Sequence, residues 1–98
     1  MRIFIAGAGG FVGGVLVKRL GGHELTLPSR DPGRFARAGV KGSFPLFTDD
    51  LEKLVAKAGP DVVINLLGII RETPGASFGL VHEEYTRRLL AGARAAGA

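Results

Sequence analysis

The strongest constraint on this chain is a run of glycines at fixed spacing, Gly7-Ala8-Gly9-Gly10-Phe11-Val12-Gly13. It lies between two different periodicities. Before it, Ile3, Phe4 and Ile5 form the short unbroken apolar run of a strand buried on both faces. After it, Phe11, Val12, Val15, Leu16 and Leu20 recur at helical spacing, and Gly21-Gly22 ends the helix. Each glycine in a helix costs about 1 kcal/mol relative to alanine. Glycines at a strand-to-helix corner therefore point to a requirement. Gly7 suits a tight turn out of the strand, Gly10 leaves the backbone open to a ligand, and Gly13 lets the helix approach the sheet. The free N–H groups and partial positive charge of a helix start complete a cradle for a pyrophosphate.

The remaining pattern repeats the alternation. Glu24–Pro28 reads as a second strand. Asp31-Pro32 reads as a helix start, and Gly39 as its end. Ser43–Phe47 reads as a third strand with Pro45 arguing against a central place. Thr48 or Asp49 is expected to cap a helix bearing Leu51, Leu54, Val55 and Ala58 on its inner stripe, stopped by Gly59-Pro60. Asp61–Leu67 reads as a fourth strand, with Val62, Val63, Ile64, Leu66 and Leu67 apolar and Asn65 in their midst. Ser77 is expected to cap a last helix with Phe78, Val81, Tyr85, Leu89 and Ala96 on its buried stripe and Gly97 at its end. The order βαβαβαβα predicts an α/β, Rossmann-type three-layer sandwich. Its parallel sheet would have about four strands in the order 3-2-1-4, with helices on both faces. The 98 residues make one domain, 1–98.

The end of the second strand selects the cofactor. An Asp or Glu about 20 residues past the first glycines binds the ribose 2′-OH of NAD. Here that strand ends Leu27-Pro28-Ser29-Arg30, without an acid. Arg30 is placed to fork onto a 2′-phosphate, Ser29 to donate a hydrogen bond to it, and Arg34 to assist one helical turn on. NADP(H) is thus expected over NAD(H), with Asp31 keeping NAD(H) open.

With these segments the chain resembles the extended and atypical short-chain dehydrogenases/reductases, including the NAD-dependent epimerase/dehydratases. The glycine run looks like their nucleotide motif. Asp61-Val62-Val63-Ile64-Asn65-Leu66-Leu67-Gly68-Ile69 resembles their fourth strand and following loop, and Phe78-Gly79-Leu80-Val81-His82 the start of their fourth helix. The wording of Val63–Ile69 and His82 is most like the atypical branch around the NADPH-binding accessory subunit of respiratory complex I. The resemblance covers the N-terminal portion of such a protein. It implies that Gly7, Gly10, Phe11 and Val12 line the pyrophosphate, and that Leu67 and Gly68 lie beside the nicotinamide ribose. Gly9 joins the cofactor-binding set, although relatives often carry threonine or serine there. His82 stands where many relatives have an asparagine, and the simpler reading is a partly buried helix residue.

The resemblance also implies what these residues lack. Catalytic relatives use Tyr-x-x-x-Lys with a preceding Ser or Thr, the tyrosine acting as acid or base. Here the single tyrosine is Tyr85, position 89 is leucine, and no catalytic residue is expected within the 98 residues. The parent is then an NADP(H)-dependent oxidoreductase or sugar-nucleotide epimerase, or else a non-catalytic module that holds the dinucleotide. Other classes are disfavoured. The net charge is +4, but the basic residues are scattered without interleaved aromatics, so no nucleic-acid partner is expected. There is no cysteine, and His23 and His82 lack ligand partners at metal spacing, so no metal site is expected. Glu83 and Glu84 with Arg87 and Arg88 form a solvated helical ladder. Apolar runs are too short to span a membrane and no signal peptide is visible, which suits a cytoplasmic protein. The apolar fourth strand, open on its outer edge, is a place for pairing into a homo-oligomer.

Overall fold

The computed structural model describes residues 1–9, 11–31, 33–48, 50–67 and 80–98, with the backbone alone for residues 11, 12 and 80–82. Its elements are β1 (Arg2–Ala6), α1 (Phe11–Arg19), β2 (Glu24–Thr26), α2 (Gly33–Arg37), α3 (Leu51–Ala58) and β3 (Val62–Asn65). A π-helical turn, Leu80–Tyr85, then leads into α4 (Thr86–Ala96).

The apolar run of β1 occupies the middle of a parallel sheet in the order β2-β1-β3. Ile3 and Phe4 register with Leu25 and Thr26 on one side, and with Val62 and Val63 on the other. Because strand side chains alternate, β1 divides the interior into two cores. Ile3 and Ile5 face a cluster with Val17 of α1, Leu25, Leu27 and Phe35 of α2. Phe4 and Ala6 face a cluster with Leu51 and Val55 of α3, Tyr85 and Leu89. Helices therefore cover both faces, and the expected three layers are present. Phe4, Ile5, Leu27, Leu51 and Val55 are fully buried. Each such side chain contributes about 1.5–3 kcal/mol of transfer free energy.

Among the described residues the sheet has three strands, not the four expected, so β3 is the segment read as the fourth strand. The segment 43–47 does lie beside β2, but only as two isolated bridges, Thr26 with Ser43 and Ser29 with Leu46. Proline is the cause. Ser43 N–H donates to the Leu25 carbonyl, Leu27 N–H to the Ser43 carbonyl, Ser29 N–H to the Pro45 carbonyl, and Phe47 N–H to the Ser29 carbonyl. In a parallel ladder the missing member of this series is a donor at position 45, and Pro45 has none.

Caps set the ends of α3. The Asp50 carboxylate, rather than Thr48, accepts from the Lys53 N–H at 3.1 Å, while Asp49 lies outside the described residues. Gly59 is left-handed at φ 57° and returns its N–H to the Val55 carbonyl. At the amino edge Arg2 ties the strands together. Its N–H donates to the Asp61 carboxylate at 2.9 Å and its Nε to Glu24 at 3.0 Å.

Candidate functional site

The glycine loop emerges from β1 at the carboxyl edge of the sheet, beside the exit of β3. Leu66 N–H donates to the Ala6 carbonyl at 2.7 Å, which brings the two chain segments together. This is where the strand order reverses, the position at which open parallel sheets take ligands. Gly7 turns the chain there at φ +84°. A Cβ on it would lie 2.7 Å from the Leu66 carbonyl carbon and oxygen. Gly13, in the first turn of α1, has equally little room, with Ala8 backbone atoms 2.4–2.6 Å from its Cβ position. Both glycines are thus required by close backbone approach. Gly14 is different, since nothing lies within 4 Å of its Cβ position.

The other sequence-derived positions fall around this corner. Gly9 is half-buried in the loop. Phe11 and Val12 begin α1, and Gly10 and Gly68 lie outside the described residues. Leu67 follows β3, its N–H held by the Asn65 side-chain oxygen at 3.0 Å, and its side chain packs on the Phe4 core. Asn65 also donates through Nδ2 to the Thr86 hydroxyl at 3.1 Å. That link fastens the β3 exit to α4 and accounts for a polar residue inside an apolar strand.

The ribose side is less free than the sequence suggests. The Ser29 hydroxyl accepts from the Asp31 N–H at 3.1 Å and donates to the Asp31 carbonyl at 3.0 Å. Arg30 is exposed and lies over the Phe47 ring, 5.2 Å from its centroid. The Asp31 carboxylate is paired with Arg37 at 2.6 Å. Arg34, which sequence reasoning gave only a supporting part, is the arginine that reaches the glycine loop. Its Nη2 donates to the Gly9 carbonyl at 2.7 Å. No local pattern announces that contact, because it joins α2 to a loop 25 residues earlier. A cleft of about 810 Å³ between α1 and α2 meets the loop at Ala8, Gly9 and Arg34, with Val17, Leu25 and Phe35 deeper.

Tyr85 is buried beside Leu89 and packs edge-on to Phe47 at 5.7 Å. Among the described residues there is no cluster of metal-ligating side chains, and no helix is long and apolar enough to cross a membrane.

A sequence profile of the NAD dependent epimerase/dehydratase family matches residues 3–98. No curated protein matches the chain. Among solved structures, a point mutant of uronate dehydrogenase from Agrobacterium tumefaciens, complexed with NAD, is similar at 26% identity and a TM-score of 0.67. The match covers 98% of this chain and 37% of that one. UDP-N-acetylglucosamine 4-epimerase from Bacillus cereus shares the fold at 20% identity and a TM-score of 0.69, over 99% of this chain and 34% of that one. The chain therefore spans little more than a third of the length of these structural relatives.

Proposed function

The chain belongs to the NAD dependent epimerase/dehydratase family, and from that premise we propose that it binds the pyrophosphate of a dinucleotide, NADP(H) in preference to NAD(H), at the glycine loop. The observation that carries this reading is the corner itself. Two glycines that admit no side chain turn β1 into α1 at the carboxyl edge of the sheet, beside the exit of β3. Gly7, Gly9, Gly10, Phe11 and Val12 would line the pyrophosphate, and Leu67 and Gly68 the nicotinamide ribose. The NAD complex of a structural relative supports a dinucleotide as the ligand.

The preference for NADP(H) rests on charge. No acid ends β2, Asp31 is taken by Arg37, and Arg30, with Arg34 one helical turn on, would offer positive charge to a 2′-phosphate. Ser29 would contribute once its hydroxyl turns from Asp31. Titration with NADPH and NADH tests both steps. We expect tighter binding of NADPH, and a selective loss of that advantage in Arg30→Ala. Equal affinities would remove the preference, and unchanged NADPH binding by the variant would remove Arg30 from the site.

The parent activity is an NADP(H)-dependent oxidoreduction or a sugar-nucleotide epimerisation, to which these residues contribute cofactor binding. A second reading is a non-catalytic dinucleotide-binding module like the accessory subunit of complex I. A cytoplasmic setting without nucleic-acid partners fits either reading. Self-pairing along β3 is part of the proposal, since β3 is only half-buried and pairs with β1 alone among the described strands.

A further inference from the structure

We propose that Arg34 is a working part of the glycine loop: its guanidinium fills the side-chain space that Gly9 leaves empty and presents positive charge there to the pyrophosphate, so that positions 9 and 34 act as one unit. The inference deepens the dinucleotide reading and rests on it.

The argument begins with the space at Gly9. A Cβ there would lie 2.7 Å from Arg34 Nη1 and 3.4 Å from its Cζ. The arginine therefore occupies the volume in which a side chain at position 9 would begin. Nη2 is held by the Gly9 carbonyl at 2.7 Å, which fixes the orientation of the fork and leaves its remaining N–H groups for another acceptor. The neighbouring arginines are otherwise engaged, Arg37 with the Asp31 carboxylate and Arg30 with the Phe47 ring. Among the described residues, no acidic side chain pairs with Arg34. The loop thus takes its charged group from α2 rather than from its own sequence, and an anion arriving at the loop meets Arg34 together with the backbone amides.

The same geometry separates ligand effects from folding effects. At Gly7 and Gly13 a side chain would strike backbone. At Gly9 it would strike only the tip of a flexible, exposed arginine, which can swing aside. A serine at position 9 should consequently displace the guanidinium and leave the fold intact.

Calorimetric titration of the full 98-residue chain with ADP, which carries the pyrophosphate without a 2′-phosphate, tests the unit. Arg34→Ala should weaken ADP binding on the order of tenfold, as loss of a charge-assisted hydrogen bond does. Gly9→Ser should weaken it comparably, and the double variant should bind no worse than Arg34→Ala, with melting temperatures close to that of the parent chain. Arg34→Lys should recover part of the loss. Additive losses in the double variant would show that the positions act independently. ADP binding by Arg34→Ala at the parent affinity would remove Arg34 from the loop. A parent chain that binds neither ADP nor NADPH would overturn the dinucleotide reading itself, and this inference with it.

Discussion

The Cβ position of Gly13 stands 2.4 Å from the carbonyl oxygen of Ala8, closer than any side chain can approach a backbone atom. One residue on, Gly14 faces open space. Two adjacent glycines in the same helix should therefore respond in opposite directions to one added methyl group. Gly13→Ala should destabilise by about 1–3 kcal/mol through forced backbone shifts, and Gly14→Ala should stabilise by up to about 1 kcal/mol. Thermal or urea unfolding of the two variants measures the contrast. Equal effects would contradict the packing of α1 on the loop.

Pro45 should be what keeps the segment beside β2 from forming a continuous strand. Pro45→Val supplies the missing donor opposite the Leu27 carbonyl. The new amide at position 45 should then exchange slowly with deuterium, in step with the amides of Ser43 and Phe47. Rapid exchange at position 45 alone would show that something other than the proline interrupts the ladder.

Asn65 holds two things at once, the Leu67 N–H and the Thr86 hydroxyl. Asn65→Ala should cost about 1–2 kcal/mol of stability and speed hydrogen exchange at Leu67. Thr86→Val should reproduce only the smaller, α4 part of the loss. If Leu67 sits at the nicotinamide ribose as proposed, Asn65→Ala should also weaken NADPH more than ADP, since ADP does not reach that ribose. Equal weakening of both would detach Leu67 from the site.

The outer side of β3 carries the prediction about assembly. Val62 and Val63 line a groove with Leu89 and Leu90, and Leu90 is 55% exposed. Sedimentation should show concentration-dependent association, reduced by Leu90→Lys through charge at the edge. A monomer across a wide concentration range would exclude self-pairing.

Asp50 should carry the start of α3 alone. Asp50→Ala is expected to cost about 1 kcal/mol, and Asp50→Asn much less, because either oxygen can accept from the Lys53 N–H. Chemical denaturation distinguishes the two.

Much of this architecture is written in local patterns. The run Ile3-Phe4-Ile5 specified a central strand, and period-2 alternation assigned its side chains to two faces, as the two cores show. The glycine corner, the stop at Gly59 and the end at Gly97, left-handed at φ 78°, were likewise legible, because backbone sterics act over a few residues. Even Pro45 was readable as a fault in a strand, though not how completely one lost donor would divide it. The cap of α3 was misplaced because Thr48, Asp49 and Asp50 are chemically equivalent as caps, and only the path of the chain chooses among them.

What the sequence determined by itself was therefore the order of most elements, the two buried faces and the bare glycine corner. The tertiary structure alone decided which side chains meet there. It seated Arg34 on Gly9, laid Arg30 over Phe47 and joined Asn65 to Thr86, contacts across 25, 17 and 21 residues. Such partners are chosen by how helices settle on the sheet, which depends on the whole of both cores, and no local spacing encodes it.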